Sequence, residues 1–266
     1  MKSLLKNLAM ILCGAACVAL VGGVASAASL GTVYMKYVNP GASDVANPSY
    51  HPAVGSSYNS GNVYAGAYQF QIDAAQPRTG LGLDLPVGQT FGAFCMDITQ
   101  WANSSYQLYN IVPLAEGPLT PLNGGMAMGS TKAALLENLW HDHFDLAWVT
   151  PGASYTTAQK LSAEAFAACV WEIVFENSNN ALNILNGEFT VSGVNYATTA
   201  NSWLSGLNPN GERTTLFALT SNSYQDYLVL IPGHEELRTV PEPVTMAGVM
   251  MGVGSLAAYL RRRRKA

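Results

Sequence analysis

Tyr64-Ala65-Gly66-Ala67-Tyr68-Gln69-Phe70-Gln71-Ile72-Asp73 alternates, with Tyr64, Gly66, Tyr68, Phe70 and Ile72 on one side and Gln69, Gln71 and Asp73 on the other. A period of two predicts a strand with one face in a core. Working outward, Thr90 to Ile98 reads as a second strand, and Val191 to Tyr196 and Tyr227 to Ile231 as shorter ones, the last closed by Pro232-Gly233. Two helical segments interrupt them. The first follows Ser130-Thr131, either of which can cap it, and carries Ala133, Leu135, Leu136, Leu139 and Trp140. The second follows Thr156-Thr157 and runs to about Glu176. Its Lys160, Glu164, Glu172 and Glu176 predict a solvated stripe, opposite Phe166, Cys169, Val170 and Ile173. Residues 39–62 are rich in Asn, Pro, Gly and Ser and predict a surface loop. The sum is an α+β fold: a strand-rich, sandwich- or barrel-like core with an inserted helical layer.

The 266 residues are 49% hydrophobic and 11% charged, which excludes a disordered chain and suits one domain with appendages. The overall charge of -4 hides an asymmetry, because most basic residues sit at the two ends. Residues 28–237 hold only five Lys and Arg against sixteen Asp and Glu, a net of about -11. Such a body repels nucleic acid, whose binding needs a positive footprint.

Residues 1–27 carry Lys2 and Lys6, an apolar run from Leu8 to Val21, and Ala25-Ser26-Ala27. That order predicts a secretory signal peptide read by signal peptidase at Ala25 and Ala27. In residues 238–266, Pro241-Glu242-Pro243 precedes an uncharged run from Val244 to Leu260 and then Arg261, Arg262, Arg263, Arg264 and Lys265. A helix over Val244 to Leu260 rises about 25 Å, enough to cross an inner membrane with some local thinning. The basic cluster then stays cytoplasmic and the body faces out.

This tail resembles the PEP-CTERM sorting signal of Gram-negative bacteria that make exopolysaccharide. The resemblance covers the last part of the chain and implies an exosortase, a membrane cysteine transpeptidase, cutting near Pro241-Glu242-Pro243. The implied destination is the cell surface or extracellular matrix, with exopolysaccharide as a possible partner.

Once the signal peptide leaves with Cys13 and Cys17, the body keeps Cys95 and Cys169. In an oxidising compartment the pair reads as a disulfide, which would contribute roughly 4 kcal/mol by loop entropy. Two buried free thiols are the alternative.

Phe94-Cys95-Met96-Asp97, Val170-Trp171-Glu172-Ile173-Val174-Phe175-Glu176 and Gln225-Asp226-Tyr227-Leu228 resemble the thioester-domain family of bacterial surface proteins. The resemblance implies that Cys95 approaches the second helix and bonds to a Gln four residues before Trp171. Ala167 stands there, and a methyl group offers no carbon for a thiolate to attack. Gln159 lies two turns earlier on the helix. The fold therefore carries over as an expectation, without the covalent bond. With the family's geometry, Cys169 would lie within reach of Cys95.

Three further readings concern sites. His141 and His143, within Trp140-His141-Asp142-His143-Phe144-Asp145, are weak candidates for zinc. Neither Gly-x-Ser-x-Gly nor a phosphate-binding Gly loop occurs, and no cofactor is implied. Tyr50, Tyr58, Tyr64 and Tyr68 could stack on sugar rings, although Tyr64 and Tyr68 fall on the predicted inward face. The expectation is a non-enzymatic, structural or adhesive exported protein. A covalent thioester adhesin and a secreted metal-dependent enzyme stand as alternatives.

Overall fold

The computed structural model describes residues 29–52, 57–118 and 127–234. Ala25, Ala27, the Pro241-Glu242-Pro243 motif, the apolar segment behind it and Arg261 to Arg264 lie outside the described residues. Among the described residues no helix is long and apolar enough to cross a membrane.

The core is a closed six-stranded antiparallel barrel. Its strands are β1 (Gly31–Ala46), β4 (Val63–Ile72), β6 (Thr90–Cys95), β7 (Gln107–Pro113), β9 (Phe217–Thr220) and β10 (Tyr227–Val229). They run in the order β4-β6-β10-β9-β7-β1, and β1 pairs with β4 to close the ring. β5 (Thr79–Gly80) flanks the start of β1, while β2 (Pro48–Tyr50), β3 (Tyr58–Asn59) and β8 (Phe189–Val191) form a separate three-stranded sheet. The helices α1 (Ser130–His143), α2 (Thr157–Phe175) and α3 (Ala197–Gly206) are inserted between β7 and β9.

Pairing Tyr68 with Ala93, Phe70 with Phe91 and Tyr227 with Cys95 places these side chains on one face of the sheet, the barrel interior. There Phe70 meets Tyr227 edge-on at 4.4 Å between ring centroids, and Tyr109 and Tyr68 complete the aromatic filling. The next residues along face outward to the helices: Phe94 packs on Phe166 of α2 at 4.6 Å and on Trp140 of α1 at 5.9 Å. One chain segment thus serves two cores, because successive strand side chains point to opposite faces.

Among the described residues, the predicted loop over residues 39–62 is for the most part strand. Asn39, Pro40 and Gly41 are not a turn: the β1–β4 register shifts between Tyr37 and Asn39 and again between Pro40 and Ser43. Irregularities of this kind accept a proline inside a sheet. Gly66 faces Ser43 with φ +129, and a Cβ there would stand 2.3 Å from the Ala42 carbonyl oxygen. The strand predicted from Val191 to Tyr196 instead ends at Val191, and Tyr196 precedes α3. At α1, neither Ser130 nor Thr131 caps; the cap position is Gly129, with no side-chain bond.

The predicted solvated stripe of α2 is also overturned. Glu164, Glu172 and Glu176 are all buried. Glu176 accepts from the backbone N–H groups of Asn177, Glu188 and Phe189 and from the Asn180 side chain, and Glu172 accepts from Asn183 N–H at 2.6 Å. Lys132 of α1 closes the end of α2, donating to the carbonyls of Val174 and Glu176 at 2.7 and 2.8 Å. Glu172 and Glu176 thus fasten the segment between α2 and β8 instead of facing water.

Candidate functional site

A groove of about 390 Å³ opens where β4 and β10 begin and β6 ends, the mouth of the barrel. Tyr37, Val45, Asn62, Tyr64, Trp101 and Gln225 line it, with Tyr68 beneath. Trp101 is 63% exposed and Tyr64 49%, whereas Tyr68 is buried and donates its hydroxyl to the Tyr64 carbonyl at 2.9 Å. Of the four tyrosines singled out above, Tyr50 and Tyr68 are core and Tyr64 is the one that reaches the open surface. Tyr50 packs on Phe175 at 5.4 Å. Burial, with the Tyr64 phenol beside it, pushes the Tyr37 phenol up to about 12, so it stays neutral and able to donate.

Gln225 forms the polar part of the groove. Its Nε2 donates to the carbonyls of Asp97 at 3.0 Å and Gln100 at 3.2 Å, which pins the segment carrying Trp101. Its Oε1 is buried and has no donor among the described residues. Trp101 was not singled out in the sequence, although a large aromatic inside Gln100-Trp101-Ala102-Asn103-Ser104-Ser105 is itself a sign of an exposed ring.

Cys95 lies behind the groove on the interior face. Its thiol donates to the Asp97 carbonyl at 3.2 Å and lies beside the Trp171 indole of α2. Burial raises its pKa far above the thiol range, and the indole only partly opposes this. Cys169 is free as well, buried, and donates to the Ala200 carbonyl of α3 at 3.4 Å. The expected Cys95–Cys169 disulfide is therefore absent. Residues two apart on a helix point about 200° apart, so α2 sends Trp171 to Cys95 and turns Cys169 the other way.

Ala167 is fully buried on α2. Gln159 is committed elsewhere: Thr156 caps α2 by accepting from Gln159 N–H at 3.2 Å, and Gln159 Oε1 accepts from Thr156 N–H at 2.9 Å. Gln225 is the carboxamide near Cys95, since both side chains donate to the same Asp97 carbonyl oxygen.

The two histidines diverge at the end of α1. His141 Nδ1 lies 2.8 Å from Asp142 Oδ1, while the His143 ring stacks on Trp203 at 4.5 Å. Among the described residues no three His, Cys, Asp or Glu side chains gather as metal ligands. A second cleft of about 380 Å³, between Leu85, Phe91, Trp140, Phe144, Leu146 and Pro232, has only Thr90 and Thr150 as polar side chains. It offers little to orient a polar ligand. Comparison with known protein families, curated proteins and solved structures finds no match to this chain.

Proposed function

We propose that this chain is an exported surface or matrix protein of a Gram-negative exopolysaccharide producer, with a structural and adhesive role rather than a catalytic one. In this reading the secretion machinery and signal peptidase release it after Ala27. Its tail then pauses in the inner membrane with Arg261 to Arg264 inside, and an exosortase cuts near Pro241-Glu242-Pro243. The body adheres without a covalent bond. The observation that carries the adhesive part is the open aromatic groove at the barrel mouth, with Trp101 and Tyr64 exposed over an amide floor. Sites of this build, largely apolar with a few fixed polar groups, suit small ligands and chain segments.

Fractionation of cells producing the full chain, probed separately for the body and for the C-terminal tail, tests the route. The body should appear outside the cell without its tail. Full-length polypeptide dissolved in the cytosol would refute the reading.

A second reading has one observation in its favour, the shared contact of Cys95 and Gln225 with the Asp97 carbonyl. Attack of the Cys95 sulfur on the Gln225 carboxamide carbon would release ammonia and leave an internal thioester, lowering the intact mass by about 17 Da. Burial opposes it by holding the thiol protonated. The non-covalent reading predicts an unchanged intact mass for the exported body.

A further inference from the structure

An Asn-Gly pair is chemically exposed, because glycine has no side chain to keep its amide nitrogen away from the carboxamide carbon of the asparagine before it. The same tripeptide, Asn-Gly-Glu, occurs twice among the described residues, at Asn186-Gly187-Glu188 and at Asn210-Gly211-Glu212. The fold treats the two differently. Gly211 N–H donates to the Asn208 carbonyl at 2.9 Å, and Asn210 N–H to the Asn208 side chain at 3.0 Å. Asn138 holds the next carbonyl, that of Glu212, at 2.9 Å. A nitrogen committed to a turn bond in a backbone held on both sides is a poor nucleophile. At the other copy the turn is tied only as far as Asn186, whose N–H donates to the Asn183 carbonyl at 2.9 Å. Both Asn186 and Gly187 are exposed, and among the described residues neither the Asn186 carboxamide nor the Gly187 N–H has a hydrogen-bond partner. Glycine is also obligatory at 187: its φ is +134, and a Cβ there would run into the Glu176 carboxylate.

We propose that Asn186-Gly187 is a self-modification site, where the Gly187 nitrogen closes on the Asn186 carboxamide to form a succinimide that water opens to aspartate or isoaspartate. The Gly187 N–H gives its proton to solvent base, the bond from that nitrogen to Cγ forms as the Cγ–Nδ2 bond breaks, and Nδ2 leaves as ammonia. Water then adds to either imide carbonyl. One opening restores the ordinary backbone with an aspartate side chain; the other routes the backbone through Cβ and lengthens it by one atom. Water is the only co-reactant, and nothing is oxidised or reduced. Either product puts a carboxylate where a neutral amide stood, beside the glycine that covers Glu176 and two residues from Glu188. Glu176 Oε2 accepts from Glu188 and Phe189 N–H at 2.8 and 3.2 Å, and those bonds lead directly into the pairing of β8 with β2. The new charge, and in isoaspartate the longer backbone, loosen that clasp. The site stands apart from the export and adhesion proposed above.

Peptide mapping by mass spectrometry of the full chain in mild detergent, aged at about pH 8 and sampled over days, tests this. Residue 186 should gain about 1 Da, as a mixture of aspartate and isoaspartate, at least about tenfold faster than residue 210. In denaturant the two positions should react at similar rates, since the tripeptides are identical and the turn bonds around Asn208 are gone. Asn186→Gln should abolish the gain at its position and leave the thermal midpoint of the fresh protein unchanged, because the side chain is exposed and unbonded. In the aged parent, the Glu188 and Phe189 amides should exchange hydrogen about tenfold faster than in Asn186→Gln aged alongside. No gain at residue 186 in the folded chain, equal folded rates at the two positions, or a product free of isoaspartate would each overturn the site. A gap between the positions that persists in denaturant would overturn its structural basis. Unchanged exchange in the aged parent would overturn the loosening of the Glu176 clasp.

Discussion

At the scale of single residues, burial decides the chemistry. Cys95 and Cys169 are free, buried and pushed up by desolvation, so neither is a reactive thiol in the folded state. On the proposed route, the form freed of Cys13 and Cys17 should show almost no reaction with Ellman's reagent when native and full reaction of both thiols in denaturant. One thiol missing after unfolding would point to a thioester; both missing, to a disulfide. Glu172 gives a second prediction. Burial first, and Glu176 beside it, push its carboxyl up to about 8, against the opposing pull of Asn183 N–H and Lys132. An acid whose folded value lies above its unfolded value of about 4.3 keeps its proton in the native state while the unfolded chain has lost it. Stability from this group therefore falls as pH rises from about 4 to about 8 and levels off above. Glu164, pushed up to about 7 by burial and by Asp44, acts in the same direction. Urea unfolding of Glu172→Gln should show a shallower decline, with the variant gaining up to about 4 kcal/mol on the parent between pH 5 and pH 9. Parallel curves would refute this.

At the scale of elements, α2 shows what local sequence specifies and what it leaves open. Its start is written in Thr156 and Gln159, which form a reciprocal capping box. Thr156→Ala should cost about 1 kcal/mol in chemical denaturation, with the barrel intact by near-UV circular dichroism. A loss near zero would show that packing alone sets the start of the helix. The stripe of Lys160, Glu164, Glu172 and Glu176 misleads because periodicity reports which residues share a face and not what covers that face. Here the segment after α2 folds back and supplies backbone N–H donors to Glu172 and Glu176. β1 misleads in the opposite sense: Asn39, Pro40 and Gly41 carry the composition of a turn, yet they sit at register shifts of a long strand. Only the pairing partner, β4, distinguishes the two cases.

At the scale of the whole molecule, β10 is three residues long and holds the ring together between β6 and β9. Leu228→Pro removes a ladder donor in the middle of the sheet and should abolish cooperative unfolding of the entire domain. A surviving single transition would mean that the barrel does not depend on closure at β10. The sequence by itself determined the acidic body, with five Lys and Arg against sixteen Asp and Glu, and the strands at Tyr64–Ile72 and around Cys95. All of these are properties of order and composition along a line. It also carried Ala167 in place of a reactive carboxamide, which is a matter of one side chain's identity. The tertiary structure alone decided that Cys169 turns away from Cys95, that three glutamates are interior, and that Trp101, Tyr64 and Gln225 meet at one mouth. Those facts depend on which surfaces distant segments place against each other, and closure of the barrel through β1 and β4 sets that in three dimensions.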